Sequence, residues 1–286
     1  MSATPTSRYS AQTTRDNDKT PTRNAILQNL NLKQNIGRAS FLVAVLLIWE
    51  ISSRLLGLGF WVSSPTEIMA SLVRWHETGL LQEDLQITLF EAAGGFVLGA
   101  FVGSTIGFIL GWVRRLGDFL EPFVLALYTI PKIALAPLFV LWFGIGPINK
   151  VMFSGLMVAL MVFITTFQGV RQVDRDLVAN AVLLGARPVH TWTKIALPYA
   201  AVWIFTGLRI GLPYALIGAI VGEFVASNKG VGYRIKEATS YFDTSAVFAG
   251  ILVLMIISTL LLTILKFVER RVLKWQTIEL SATVEH

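Results

Sequence analysis

Four ionisable side chains lie inside long apolar stretches of the sequence: Glu91, Lys132, Arg209 and Glu223. An ionised side chain is costly in lipid, so each is expected to face protein or a water-filled cavity. Lys132 and Arg209 could form a cationic lining for the passage of a small anion, and Glu223 is a third candidate for such a path. Alternatively, these charges form ion pairs that only hold helices together, or they reach toward the headgroup layer.

Other reactive groups are scarce. The chain has no cysteine, which excludes disulfides and thiol catalysis, and its three histidines (His76, His190 and His286) are too far apart in sequence to suggest a metal site. No nucleophile–base pair is visible, so we do not expect an enzyme. The sequence contains no G-x-x-x-x-G-K-[ST] loop to cradle the phosphates of ATP. Energy for any transport must therefore come from another chain or from an ion gradient.

Composition indicates that these residues are positioned by a membrane protein. Hydrophobic residues make up 54% of the 286 residues, charged residues 15%, and the mean hydropathy is +0.62. A soluble domain has about 25% charged residues. The net charge of +6 does not indicate a nucleic-acid partner, because the basic residues are spread between apolar segments.

Apolar runs predict an all-α integral membrane protein with six transmembrane helices, since each span needs about 20 apolar residues. Residues 1–38 are predicted to be a polar tail, 39–274 the transmembrane domain and 275–286 a C-terminal tail. The predicted spans are Ala39 to Leu58, Leu85 to Val113, Phe123 to Phe143, Val151 to Val170, Tyr199 to Ala226 and Val247 to Phe267.

Lysine and arginine are concentrated on one set of connecting segments, which the positive-inside rule places in the cytoplasm. Both termini are then expected in the cytoplasm, and the protein is expected in the cytoplasmic (inner) membrane. On the outer side, Ser64, Glu67 and the apolar residues after them predict a capped amphipathic helix that lies along the membrane surface.

The second predicted span carries glycine at every fourth position: Gly95, Gly99, Gly103, Gly107 and Gly111. This spacing puts the glycines on one face, where another helix can approach closely, within the subunit or in a second copy. The third span contains Pro131 and Pro137, which predict a bent or broken helix. Such a helix either borders a permeation path or is only kinked.

Residues 171–198 form an inner segment that is too long for a turn and is moderately apolar. We predict a helix to about Leu184, a break at Gly185, a second helix from Pro188 to Leu197, and a change of direction at Pro198. An apolar helix pair exposed to the cytoplasm needs a protein partner to cover it. Alternatively, it is an amphipathic element on the inner membrane surface.

This segment resembles the EAA loop of ABC importer permeases. The resemblance rests on Ala181, Gly185, Ala186, Ile195, Leu197 and Pro198. Other stretches resemble one branch of that family, which serves nitrate, taurine, alkanesulfonates and some pyrimidine vitamin precursors: Ser63–Glu67, Ile130–Lys132 with Ala136–Leu138, Trp142–Gly146, Gly222–Ser227 and Gly230–Tyr233.

The resemblance implies a type I importer permease whose EAA residues form cytoplasmic coupling helices. The implied partners are ATP-binding cassette ATPase subunits that carry ATP and Mg²⁺, an extracytoplasmic substrate-binding protein, a second copy of the chain, and membrane lipid. No cofactor is expected in this chain. A gradient-driven secondary transporter is the alternative, with Glu91 or Glu223 carrying protons.

Overall fold

The computed structural model describes residues 23–55 and 60–274. Within these ranges every regular element is helical, in agreement with the predicted all-α fold. The predicted C-terminal tail and residues 1–22 of the predicted N-terminal tail lie outside the described residues. The helices are α1 (Arg23–Leu55), α2 (Pro65–Glu77), α3 (Leu80–Trp112), α4 (Arg114–Thr129), α5 (Ala136–Phe143), α6 (Pro147–Arg171), α7 (Arg175–Leu183), α8 (Pro188–Thr191), α9 (Leu197–Ala226), α10 (Val231–Ser240) and α11 (Thr244–Val272).

Among the described residues, four helices are long and apolar enough to cross a membrane, and a fifth span is formed if the bent pair of α4 and α5 counts as one. The predicted number of six is therefore not reproduced exactly. The first predicted span, Ala39 to Leu58, coincides with the second half of α1 as far as Leu55. Of the described residues, 23–51 belong to one compact unit and those from Ser52 onward to a second.

Helices α3, α6 and α9 pack together at the centre of the second unit, and the glycine ladder explains their close approach. The five glycines face α6: a Cβ on Gly95, Gly99, Gly103, Gly107 or Gly111 would meet backbone or side-chain atoms of α6 at 3.0 Å or less. Of the two possibilities left open by the sequence, the structure shows packing within one chain.

The amphipathic helix predicted beside the outer membrane surface is α2. It begins with a capping box, in which the Glu67 amide donates to Ser64 Oγ and the Ser64 amide donates to Glu67 Oε2. The Ser63 hydroxyl donates a second hydrogen bond to Glu67 Oε2 at 2.8 Å. These hydrogen bonds to the carboxylate hold the pKa of Glu67 below its usual range.

Helix α9 differs from the prediction at its start. The chain does not turn at Pro198, because α8, a π-helical turn (Trp192–Ala196) and α9 continue as one helix of 38 residues from Val189 to Ala226. The Leu197 amide donates to the Trp192 carbonyl, five residues back. This wider turn accommodates Pro198, which has no N–H to donate, without ending the helix.

Candidate coupling surface and intramembrane charges

The predicted coupling segment forms a helix, a tight turn and a second helix. Helix α7 ends with the Gly185 amide donating to Val182 O and the Ala186 amide to Ala181 O, both at 2.9 Å. This pair of bonds is the Schellman arrangement, and it needs a left-handed residue, which Gly185 provides at φ +85°. The break predicted at Gly185 is therefore a defined turn that fixes the angle between α7 and α8.

Apolar side chains project from both sides of this turn. Leu183 is 83% exposed, Leu184 90% and Val189 69%. Basic and polar residues surround them, including Arg187, and the segment is too short to span a membrane. We call Leu183, Leu184, Gly185 and Val189 the coupling surface; within the described residues no part of the chain covers it.

The other predicted coupling residues attach this surface to the transmembrane helices. Ile195 lies in the π-helical turn and Leu197 and Pro198 begin α9. Trp192, in the same turn, packs edge-on against Phe108 and Trp112 of α3, with ring centroids 5.7 and 5.6 Å apart. The coupling surface is thus joined to α9 along the chain and to α3 by aromatic packing.

The structure does not bring the three predicted path residues together. Arg209 pairs with Glu269 of α11. Lys132 lies at the bend between α4 and α5, where its Nζ donates to Tyr128 O at 2.8 Å and lies 4.5 Å from the centre of the Tyr128 ring.

Glu223 belongs to a buried network at the start of α10. Its side chain is fully buried and accepts hydrogen bonds from Thr88 Oγ1 at 2.6 Å and from the amide of Gly232 at 2.5 Å. A Cβ on Gly230 or Gly232 would lie within 3.0 Å of the Glu223 carboxylate. The two glycines therefore leave room for the carboxylate against the first amides of α10, where an anion is favoured.

Two residues of α3, Asp84 and Thr88, also contact the start of α10. Asp84 accepts from the Gly230 amide and from Arg234 Nε, both at 2.7 Å, and Thr88 Oγ1 accepts from the Val231 amide at 2.9 Å. Asp84 and Thr88 lie on α3, Glu223 on α9 and Arg234 on α10, so these contacts fasten the three helices together.

Sequence reasoning missed Lys150, because the fourth predicted span begins one residue later, at Val151. Lys150 is 5% exposed, pairs with the fully buried Glu91 at 3.0 Å and donates to Ser227 Oγ at 2.9 Å. The signal lay in α3, where Asp84, Thr88 and Glu91 follow a helical spacing on one face of an apolar helix. We call Asp84, Thr88, Glu91, Lys150 and Glu223, with the first amides of α10, the α10 network.

Long apolar helices that pair Lys150 and Arg209 with carboxylates inside the bundle are typical of a multi-pass membrane protein. Residues 93–274 match the family of binding-protein-dependent transport system inner membrane components. The chain belongs to this family and is an ABC importer permease subunit, a translocation subunit and not an enzyme. Family membership decides against the gradient-driven alternative.

Curated relatives and solved structures agree with this assignment. The chain is 34% identical to the aliphatic sulfonates transport permease protein SsuC of Bacillus subtilis, over 81% of this chain and 84% of the relative. It is 32% identical to the formylaminopyrimidine transport permease protein ThiX of Halalkalibacterium halodurans, over 82% and 94%. An inward-facing structure of the MetNI methionine ABC transporter shares the fold, with a TM-score of 0.57 and 20% identity over 68% of this chain and 95% of that one.

Proposed function

We propose that this chain forms the path for a small solute in an ATP-driven importer and that an ATPase subunit docks on its coupling surface. The observation that carries the proposal is the exposure of Leu183, Leu184 and Val189 around a turn of fixed geometry. Burying a leucine side chain contributes roughly 1.5–3 kcal/mol, so covering this surface would stabilise a complex substantially.

The continuous helix from Val189 to Ala226 supports a mechanical role for this surface. A displacement applied beside Gly185 would pass to the far end of α9 along one continuous helix, in which the π-helical turn and Pro213 are irregular positions. ATP and Mg²⁺ would bind to the ATPase, whose closure would favour one orientation of the path over the other. Each step is a shift in the population of two states, driven by differential binding.

The remaining partners in this proposal are a second copy of the chain, which would complete the path, and an extracytoplasmic binding protein, which would deliver the solute. Both termini would lie in the cytoplasm, with the coupling surface. We propose a small organic anion such as a sulfonate as the solute, supported by the sulfonate permease relative. Formylaminopyrimidine, the solute in the name of a second relative, is the competing candidate. Uptake of each compound by cells that express the complete importer would separate the two.

Co-purification tests the ATPase contact. The variant Gly185→Val places a β-branched residue at φ +85°, where only the backbone is strained, because no atom lies within 4 Å of the added Cβ. We expect the wild-type chain to retain an ATPase through gentle solubilisation and this variant to lose it. Gly185→Asn, which tolerates the left-handed conformation, should retain it.

Gly79 provides a matched control, because it also has a positive φ, +74°, with no atom within 4 Å of an added Cβ. Gly79→Val should strain the backbone equally and leave the ATPase bound. The proposal is wrong if the wild-type chain purifies alone and still moves solute under an ion gradient. If the ATPase remains bound to Gly185→Val, the docking site lies elsewhere on the chain.

A further inference from the structure

The bend between α4 and α5 exposes irregular backbone within a membrane span. Helices α4 and α5, with the short 3₁₀ turn Lys132–Leu135, are together long and apolar enough for one span, and they meet at an angle of 83°. Ile130 is extended, with ψ 133°, and Pro131 has no amide hydrogen to continue the helix. The carbonyl groups freed by the bend accept side-chain hydrogen bonds instead: Ala126 O from Thr129 Oγ1 and Tyr128 O from Lys132 Nζ, both at 2.8 Å.

The chain leaves this bend uncovered. All residues from Ala126 to Pro131 are exposed, and Ile133 is 58% exposed. Exposure on α11 is compatible with lipid, because an unbroken helix satisfies its own backbone. Irregular backbone at membrane depth is tolerated only inside protein or along a water-filled cavity. No other part of the described chain covers the bend, so we infer that it lines a water-filled cavity; burial against a second copy of the chain is the competing outcome of the test below.

The charge at the bend also points to a solute. Elsewhere in the spans, Lys150 pairs with Glu91 and Arg209 with Glu269. No carboxylate of residues 23–55 or 60–274 forms an ion pair with Lys132. Its ammonium group uses one of three N–H donors on Tyr128 O, which leaves two for another acceptor. A cation at membrane depth that has no acidic partner is stabilised by water, by an anionic ligand or by reaching the headgroup layer, and the bond from Lys132 Nζ to Tyr128 O holds this ammonium group at the bend.

We propose that the bend between α4 and α5 lines the solute path and that Lys132 binds the anionic group of the solute, with Tyr128 and Ile133 beside its apolar part. This inference rests on the proposed importer function and assigns the solute contact to one element of the chain. Of the three cationic or acidic residues predicted to line the path, Arg209 and Glu223 are engaged by other helices, and Lys132 is the residue left available.

Thiol chemistry can test this directly, because the chain has no native cysteine. Thr129→Cys and Ile133→Cys would be placed at the bend, with Ile256→Cys, 54% exposed in the wild type on α11, as the lipid-facing control. In membranes that contain the assembled importer, each would be treated with methanethiosulfonate reagents bearing a sulfonate or an ammonium group. We expect fast reaction at positions 129 and 133 and little at 256, because these reagents need water and a thiolate.

Charge selectivity at Thr129→Cys then tests the role of Lys132. The ratio of the rates with the sulfonate and ammonium reagents should fall about four-fold or more when Lys132→Gln is added, the effect of one unit charge a few ångströms away in water. Lys132→Arg should preserve the ratio. An unchanged ratio would refute anion binding by Lys132, and thiols at 129 and 133 as unreactive as that at 256 would refute a water-lined bend.

ATPase co-purification from the same membranes separates this inference from the proposed function. If the ATPase is retained while the thiols at the bend are unreactive, only the inference fails. If the wild-type chain retains no ATPase, the proposed function fails, whatever the thiols do.

Discussion

The α10 network and the coupling surface follow opposite rules. In the α10 network, Glu91 and Glu223 are fully buried, and each of their side chains has a partner on another helix. At the coupling surface, Leu183 and Leu184 are almost fully exposed although they are apolar. Buried charges with partners hold this chain together, whereas we propose that the exposed apolar side chains at the Gly185 turn contact another protein. Mutations in the two regions should therefore affect different measurements.

The largest expected effect is at the ion pair of the α10 network. Lys150→Met leaves the buried carboxylate of Glu91 without its cation, which should lower the free energy of unfolding by about 3–5 kcal/mol. Thermal unfolding in detergent measures it. The control is Lys229→Met, since Lys229 and its partner Glu83 are each about half exposed and the pair contributes under about 1 kcal/mol. Equal losses in the two variants would contradict the distinction between buried and exposed pairs.

Substitution of Gly232 should have the second-largest effect on stability, because this glycine makes room for the Glu223 carboxylate. The Cβ of Gly232→Ala would lie 2.7 Å from Glu223 Oε2 and 3.0 Å from the Ile220 carbonyl. We expect a loss of about 1–3 kcal/mol in the free energy of unfolding, with the ATPase still bound. Gly146→Ala is the control, because Gly146 is extended at φ 163° and no atom lies within 4 Å of the added Cβ. A stable Gly232→Ala variant would show that α10 is not held by this close contact.

Substitution at the coupling surface should give the reverse result. Leu183→Ser combined with Leu184→Ser should change the free energy of unfolding by less than about 0.5 kcal/mol per site, because both side chains are exposed. Retention of the ATPase should fall about ten-fold or more, since apolar contact area is lost. Leu184→Met preserves that area and should preserve binding. A loss of stability without a loss of ATPase would reverse the roles of the two regions.

The smallest effect concerns the cap of α2, in which the carboxylate of Glu67 is exposed, unlike those of the α10 network. The pKa of Glu67 is lowered by its hydrogen bonds, so its contribution to stability is present above the ordinary pKa of about 4.3 and is lost as the pH falls through the lowered value. At pH 7 the wild type should have the higher melting temperature, and its free energy of unfolding should exceed that of Glu67→Gln by under about 1 kcal/mol. The difference should shrink in acid. Ser63→Ala, which removes one donor, should reduce the difference at neutral pH.

Much of the fold could be predicted because its signals are local. Apolar runs located α3, α6 and α11 to within about five residues at each end, the Ser64–Glu67 spacing located the start of α2, and the glycine ladder located a packing face. Gly185 marked the turn of the coupling segment for the same reason, since a left-handed residue there needs no distant contact. The continuation of α9 through Pro198 was missed, because a proline near a helix start favours a boundary unless the turn before it widens.

The sequence by itself determined the class of protein, its family and the turn at Gly185, because hydropathy and backbone conformation depend on residues close together in the chain. Only the tertiary structure decided which intramembrane charges are free. Glu91 meets Lys150 and Arg209 meets Glu269 across 59 and 60 positions in the sequence, and Glu223 meets Thr88 across 135. Ion pairing falls off with distance in space, which sequence separation does not record. Lys132 therefore became the candidate solute ligand only when the partners of the other charges were known.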